Sequence, residues 1–223
     1  MAKTLRIRTR DGWVTKPSAD VPGNRLIAEE VDDNFLELED QMYFVETGWK
    51  DMLAPLSSAG VPPSNAPTAT NFVVGDISRR EFAFVLNDLL YVQPFHVNHD
   101  IKPDGDAYLH VHWTTNGTQT HTVRWEFQIA RALGHNQANF TESTTLFVEQ
   151  AAAGTAYRHM IAEISDEDAL TLTEPDELIL VTLRRVTNGG TNNTDTVFGL
   201  MVDLHYESDR HLTPNKAPNF YGD

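Results

Sequence analysis

The sequence predicts a mainly β protein whose body is an antiparallel β-sandwich of the jelly-roll type. About eight alternating or wholly apolar runs recur between residues 72 and 208, and clusters rich in Gly, Asp, Asn and Thr separate them. No internal repeat of the kind that builds solenoids or propellers is visible. The chain of 223 residues is long enough for one such domain and an appendage.

Three further segments differ from the body in composition. Residues 1–53 are predicted to form an N-terminal attachment region, with a short strand followed by an acidic helix over 24–46 that Asn24 caps. Residues 54–71, "APLSSAGVPPSNAPTATN", are predicted to form an extended linker, because Pro, Ser, Ala and Thr dominate. Residues 209–223 are predicted to form an extended C-terminal tail, anchored onto a neighbouring subunit by Phe220 and Tyr221.

The predicted helix carries one narrow apolar stripe on an otherwise acidic surface. Its apolar residues follow the alternating three-and-four spacing of a coiled-coil seam. Such a stripe packs either on its own β domain or against copies of itself or a partner, and the proline-rich segment behind it favours the second choice. We therefore predict that oligomerisation or attachment uses Ala28, Val31, Phe35, Leu38, Met42 and Val45.

The composition excludes several classes of partner and site. The 32 acidic against 17 basic residues give a net charge of −15, which repels nucleic-acid backbones. The chain has no cysteine, so disulfides, thiol nucleophiles and thiolate metal sites are excluded. Neither a signal peptide nor an apolar run of membrane-spanning length is present, so we expect synthesis in a cytoplasm and no membrane partner.

Histidines are the most distinctive candidate ligands. His110 and His112 lie two apart on a predicted strand and therefore share one face; together with His205 they are the candidate metal site. A cupin-type metal enzyme uses such a pair, but it also needs a glutamate shortly after the second histidine, where this chain has "WTTNG". A structural metal ion at a three-fold axis is the alternative. The favoured interpretation has no cofactor, with imidazoles that hydrogen-bond within the sheet or between subunits.

No other pattern indicates catalysis. The sequence has neither a G-x-S-x-G elbow nor a glycine-rich phosphate loop. Carboxylates are so frequent that no pair of them indicates a glycosidase. The aromatic residues Trp113, Trp125, Phe127 and Tyr108 are assigned to the core. We therefore predict that the chain is not an enzyme.

The segment "GNRLIAEEVDDNFLELED" resembles the N-terminal segment of tailed-bacteriophage fibre and appendage proteins, which has an "(A)EVDxNFxxL" core. The segments "GWKDMLAPLSSAG", "HVNHDIKPDGDAYLHVHWTTN" and "HYESDRHLTPNKAPNFYG" also resemble parts of phage virion proteins. The resemblance implies a homotrimeric virion structural protein with a β-sandwich body, anchored to the particle by its N-terminal segment. The residues that fit the core pattern are Glu30, Val31, Asp32, Asn34, Phe35 and Leu38.

Three functional hypotheses follow. The leading one is a trimeric fibre-like appendage at the neck or tail of the virion, whose partners are its own copies and other virion proteins. A capsid decoration or cement protein is its nearest rival and would differ in copy number. A carbohydrate-recognising receptor-binding module, with sandwich loops that contact host surface glycans, is the alternative from another class.

Overall fold

The computed structural model describes residues 5–9, 12–16, 47–135, 137–141, 143–209 and 212–221. The chain divides into two compact units, Met1–Glu46 and Thr47–Asp223. In the first unit, β1 (Leu5–Thr9) pairs antiparallel with β2 (Gly12–Lys16), which confirms the predicted N-terminal strand. The predicted helix over 24–46, with its seam residues Ala28, Val31, Phe35, Leu38, Met42 and Val45, lies outside the described residues.

The second unit is a two-layer antiparallel sandwich, as the sequence predicts. In its described part, the first sheet has seven strands: β3 (Gly48–Pro55), β4 (Thr68–Val74), β5 (Ile77–Phe84), β8 (Gly105–Thr115), β11 (Met160–Glu163), β12 (Leu170–Leu172) and β14 (Val197–Ser208). The second has five: β6 (Leu89–Tyr91), β7 (Phe95–His96), β9 (Thr122–Leu133), β10 (Thr144–Ala151) and β13 (Glu177–Val186).

The hydrogen-bonded pairings define the order of the strands in each sheet. The seven-stranded sheet runs β11-β8-β14-β5-β4, with β12 also paired to β8 and β3 also paired to β14. The five-stranded sheet runs β10-β9-β13-β6, with β7 also on β13. Strand β14 therefore has β8 along one edge, while β5 and β3 share the other edge around the bulge between Gly199 and Met201.

Alternating side chains from both sheets fill the core. The rings of Trp113 and Trp125 meet edge to face at 6.3 Å, and Phe84 meets Trp125 at 5.2 Å. Trp113, Trp125 and Phe127 are fully buried, which confirms their assignment to the core. Inward-facing aliphatic residues surround them: Leu109, Val111, Val123, Ile129, Ile179, Val181, Leu183, Val202 and Leu204.

The predicted linker is wrong, because residues 54–71 belong to the sandwich. Strand β3 reaches Pro55, a 3-10 helix follows at Leu56–Ser58, and β4 begins at Thr68. Leu56 is fully buried and Gly60 forms an isolated bridge with Tyr91. Proline is tolerated here because, within the described residues, β3 pairs only with β14 and Pro55 ends the strand. The boundary between the two units lies at residue 46 and not at 53.

The predicted extended tail is also wrong over the part that the structure describes. Residues 212–221 form successive bends, closed by a hydrogen bond from the Asn215 amide to the Phe220 carbonyl of 3.2 Å. Phe220 is buried within its own chain, edge to face with His99 and His135 at 5.7 and 5.5 Å. Tyr221 beside it is exposed. Phe220 thus anchors the tail onto the chain's own sandwich.

The helices that the structure describes in the second unit are two 3-10 segments of three residues each, Leu56–Ser58 and Asp166–Asp168. Among the residues described, none belongs to a helix with the length and apolar character needed to cross a membrane.

Candidate functional site

The outward face of the seven-stranded sheet gathers histidines and carboxylates from four strands. Because side chains alternate along a strand, β8 directs His110 and His112 outward while Leu109 and Val111 enter the core. In the ladders, His110 lies between Asp203 of β14 and Glu163 of β11. We call this surface the histidine face; it comprises Asp51, His110, His112, His159, Glu163, Asp203 and His205.

Asp203 lies at the centre of the histidine face. Asp203 as a whole residue is 4% exposed, and His110 is 8% exposed. Asp203 Oδ1 lies 3.6 Å from Nδ1 of His110, and Oδ2 lies 3.2 Å from Nε2 of His112. Within the described residues, Oδ1 has no hydrogen-bond partner. One buried carboxylate thus faces two imidazoles at once.

The other ring nitrogens of these two histidines also have partners. Nε2 of His110 contacts a carboxylate oxygen of Glu163. Nδ1 of His112 lies 2.8 Å from Nε2 of His159, and the two rings stack at 5.0 Å. Burial and the neighbouring charge of His112 lower the pKa of His159. Both effects favour the neutral form of His159.

His205 completes the set of histidines predicted from the sequence. Its ring lies 5.0 Å from that of His110, and its Nδ1 lies 3.6 Å from a carboxylate oxygen of Asp51. Two groups of potential metal ligands result, each with its ligand atoms within 4.8 Å of one another: His110, His112 and Asp203, and His110, Glu163 and His205. The structure thus brings all three predicted histidines together, although no one group contains all three.

Sequence reasoning missed the two carboxylates of these groups. Asp203 lies two residues before His205, so the same alternation that paired His110 with His112 would have placed it on the face. Glu163 had no comparable signal, because its place beside His110 depends on the pairing of β11 with β8.

Two aromatic residues, Trp49 and Tyr108, lie beside His205 of the histidine face. Trp49 of β3 is 52% exposed and contacts Tyr108 at 5.7 Å and His205 at 5.0 Å. Tyr108 was expected in the core, but it lies on the outer side of β8, between inward-facing Ala107 and Leu109. The alternation along β8 decides this, since a single aromatic residue fits either face.

A second histidine cluster surrounds Asp176. Its carboxylate oxygens lie 3.2 Å from His99, 3.3 Å from His96 and 2.8 Å from His135. Partial burial alone would raise the pKa of Asp176, but the hydrogen bond from His135 and the charges of His99 and His96 outweigh it and lower the pKa. Phe220 packs against His99 and His135, so this cluster holds the tail.

Comparisons with known proteins identify no family. No family model matches the chain, and no curated protein matches it. Similar solved structures include CBM35 from Cellvibrio japonicus Abf62, 12% identical over 70% of this chain and 92% of that chain, with a TM-score of 0.40. The CBM36-1 domain of a multidomain xylanase from the hindgut metagenome of Trinervitermes trinervoides is 8% identical over 70% and 96%, with a TM-score of 0.38.

A third solved structure is a β-1,3-glucan-binding CBM6 from Bacillus halodurans, 11% identical over 69% of this chain and 92% of that chain, with a TM-score of 0.35. These three are carbohydrate-binding modules. TM-scores and identities this low do not transfer a ligand to this chain, and the sandwich assignment depends on the strand pairings described above.

Proposed function

We propose that this chain is a non-enzymatic structural protein of a tailed-phage virion, a fibre-like appendage at the neck or tail that is attached through its N-terminal region. The observation that carries the proposal is the segment "AEEVDDNFLEL" in the unit Met1–Glu46, separate from the sandwich unit that begins at Thr47. In this proposal the first unit docks on the particle and the second forms the body.

The docking energy in this proposal comes from the apolar stripe Ala28–Val45 of the predicted helix. At about 25 cal/mol per Å² of apolar surface, a few hundred Å² buried on a particle protein contribute several kcal/mol. A homotrimer would present three such stripes, and simultaneous attachment of linked segments raises the overall affinity well beyond that of one. The acidic residues around the stripe favour a partner with a basic rim.

The proposal is tested by changing the stripe in the full-length chain. Phage that encode Phe35→Asp with Leu38→Asp should yield particles that lack this protein, because charge on the stripe opposes burial. The measurement is quantitative mass spectrometry of gradient-purified virions. Glu37→Gln, which changes the same segment away from the stripe, is the matched control and should be incorporated normally.

Two results would count against the attachment role. Normal incorporation of the double variant would refute it. Loss of incorporation supports the role when the purified variant keeps the fluorescence of the buried residues Trp113 and Trp125. A copy number close to that of the capsid subunits would favour a decoration or cement protein over a neck or tail appendage.

A second candidate function is recognition of a host surface carbohydrate, and Trp49 is the observation that favours it. The ring is 52% exposed, lies beside Tyr108, and pairs in register with Glu207. An exposed aromatic surface next to polar groups is what a sugar ring needs for stacking and hydrogen bonding.

A glycan array probed with the full-length chain should show binding that Trp49→Ala abolishes. Phe140→Ala, at another exposed aromatic residue, should retain the binding. Absence of binding to every glycan would contradict this candidate.

A further inference from the structure

We propose that His110, His112 and Asp203 bind one divalent transition-metal ion, with Zn²⁺ as the reference ion. The site lies in the sandwich unit, on strands β8 and β14, so it is independent of the attachment proposal, which depends on the first unit. Two imidazoles and one carboxylate form a ligand set that suits zinc and its first-row neighbours.

The sheet already arranges the three side chains as ligands. Their ligand atoms lie within 4.8 Å of one another. The side chains are 10%, 12% and 5% exposed for His110, His112 and Asp203, so the site is shielded and little further ordering is needed on binding. Adjacent strands of one sheet fix these positions, since Asp203 pairs in register with His110 and Met201 with His112.

One choice of histidine tautomers leaves lone pairs facing one another at this point. A neutral imidazole carries one N–H. If His110 donates that hydrogen from Nε2 to Glu163, its Nδ1 lone pair faces Asp203 Oδ1 at 3.6 Å. If His112 donates from Nδ1 to His159, its Nε2 lone pair faces Asp203 Oδ2 at 3.2 Å. Acceptors that face one another in this way repel unless a cation lies between them.

Hydrogen bonds alone satisfy only part of this group. Nε2 of His112 lies within hydrogen-bond distance of Asp203 Oδ2, at 3.2 Å. Nδ1 of His110, by contrast, lies 3.6 Å from Asp203 Oδ1, which is beyond a good hydrogen bond. Within the part of the chain described, that buried oxygen has no hydrogen-bond partner. A metal ion shared by all three side chains would satisfy this oxygen and both lone pairs together.

The neighbours of the ligands support the assignment. Histidine ligands usually donate a hydrogen bond from the N–H of their second ring nitrogen to a neighbouring acceptor, which fixes the tautomer. Here Glu163 occupies that position for His110, and His159 occupies it for His112. The competing group, which contains Glu163 and His205, would use the Nε2 of His110 that Glu163 already contacts, and Glu163 is 47% exposed. We therefore assign Glu163 as the hydrogen-bond acceptor that orients His110, and not as a metal ligand.

The test uses the untagged full-length protein after removal of metals with a chelator. Isothermal titration with Zn²⁺ should give one site per chain, and Co²⁺ should give visible absorption bands from a nitrogen and oxygen environment. Asp203→Asn and His112→Gln should each weaken binding by more than about 100-fold, and Glu163→Gln by about 10-fold or more. His121 belongs to neither ligand group, and its Nδ1 lies 3.1 Å from Oε1 of Gln119. His121→Gln is therefore the matched control and should leave the affinity unchanged.

Three outcomes would overturn the assignment. They are no stoichiometric Zn²⁺ binding, equal weakening by the control variant, and loss of binding in His205→Gln with retention in Asp203→Asn. If Asp203→Asn does not fold, imidazole NMR of the wild-type protein decides between the two groups. Zinc-induced shifts confined to His110, His112 and their hydrogen-bonded neighbours support the site, and shifts centred on His205 refute it.

Discussion

Truncation of Leu56 should be one of the most destabilising single substitutions in the chain, although the neighbouring residues in the sequence resemble a linker. Its side chain is fully buried, whereas that of Leu53, three residues earlier, is 61% exposed. Truncation of a core leucine to alanine removes its transfer free energy and leaves a cavity, which together cost about 3 kcal/mol. For a protein of this size we expect Leu56→Ala to lower the melting temperature by about 9 °C. Leu53→Ala should change the free energy of unfolding by less than about 0.5 kcal/mol.

Urea unfolding, followed by the fluorescence of the buried Trp113 and Trp125, measures both variants in the same experiment. The midpoint should fall for Leu56→Ala while the slope with urea stays constant, because the surface exposed on unfolding is unchanged. A loss below about 1 kcal/mol for Leu56→Ala would refute the reasoning, since a core leucine costs more than that. Equal losses for both leucines would refute it as well.

Three further predictions concern the core and the buried polar groups. Gly199→Ala should destabilise the protein by about 1–3 kcal/mol, because its Cβ would lie 2.8 Å from two buried side chains; an unchanged urea midpoint would contradict this. Burial raises the pKa of Tyr206 to about 12, so the protein should lose stability as the pH rises from the ordinary value of 10.0 through 12, and Tyr206→Phe should reduce that loss in urea titrations across this range. The lowered pKa of Asp176 stabilises the fold above the ordinary value of 3.8, and this contribution is lost as the pH falls through the folded pKa. Asp176→Asn should therefore cost about 1 kcal/mol at pH 7, and its difference from wild type should shrink below about pH 4; a constant difference would contradict the argument.

Asn is the matched replacement at position 176 because the backbone there has a φ of 61°, a conformation that Asn adopts more readily than most residues. Alanine would add backbone strain to the loss of charge, so the two effects could not be separated.

The strands and the histidine face could be predicted to a large extent from the sequence. Alternation along "AYLHVHW" identifies which side chains share a face, and this is a local property of any strand. It placed His110 and His112 together, and the structure confirms this. The same rule applied to "DLHY" would have added Asp203.

The remaining features depend on pairings between distant parts of the chain. Composition alone predicted a linker over residues 54–71, because prolines are rare in central strands. A strand at the edge of a sheet tolerates prolines. Glu163 reaches His110 only through the ladder between β11 and β8. Phe220 packs against His99 and His135. Both histidines are so distant from Phe220 in the sequence that no local pattern could predict the contacts.

The position of β14 has a consequence for synthesis on the ribosome. This strand, Val197–Ser208, pairs with β3, β5 and β8, so among the described residues the central strand of the larger sheet is translated after its three partners. The nascent chain must hold its earlier strands without their central partner, and pairings over so long a separation form slowly. A stop codon before residue 197 would therefore remove the strand that joins these partners, and the truncated product should be captured by chaperones or proteases.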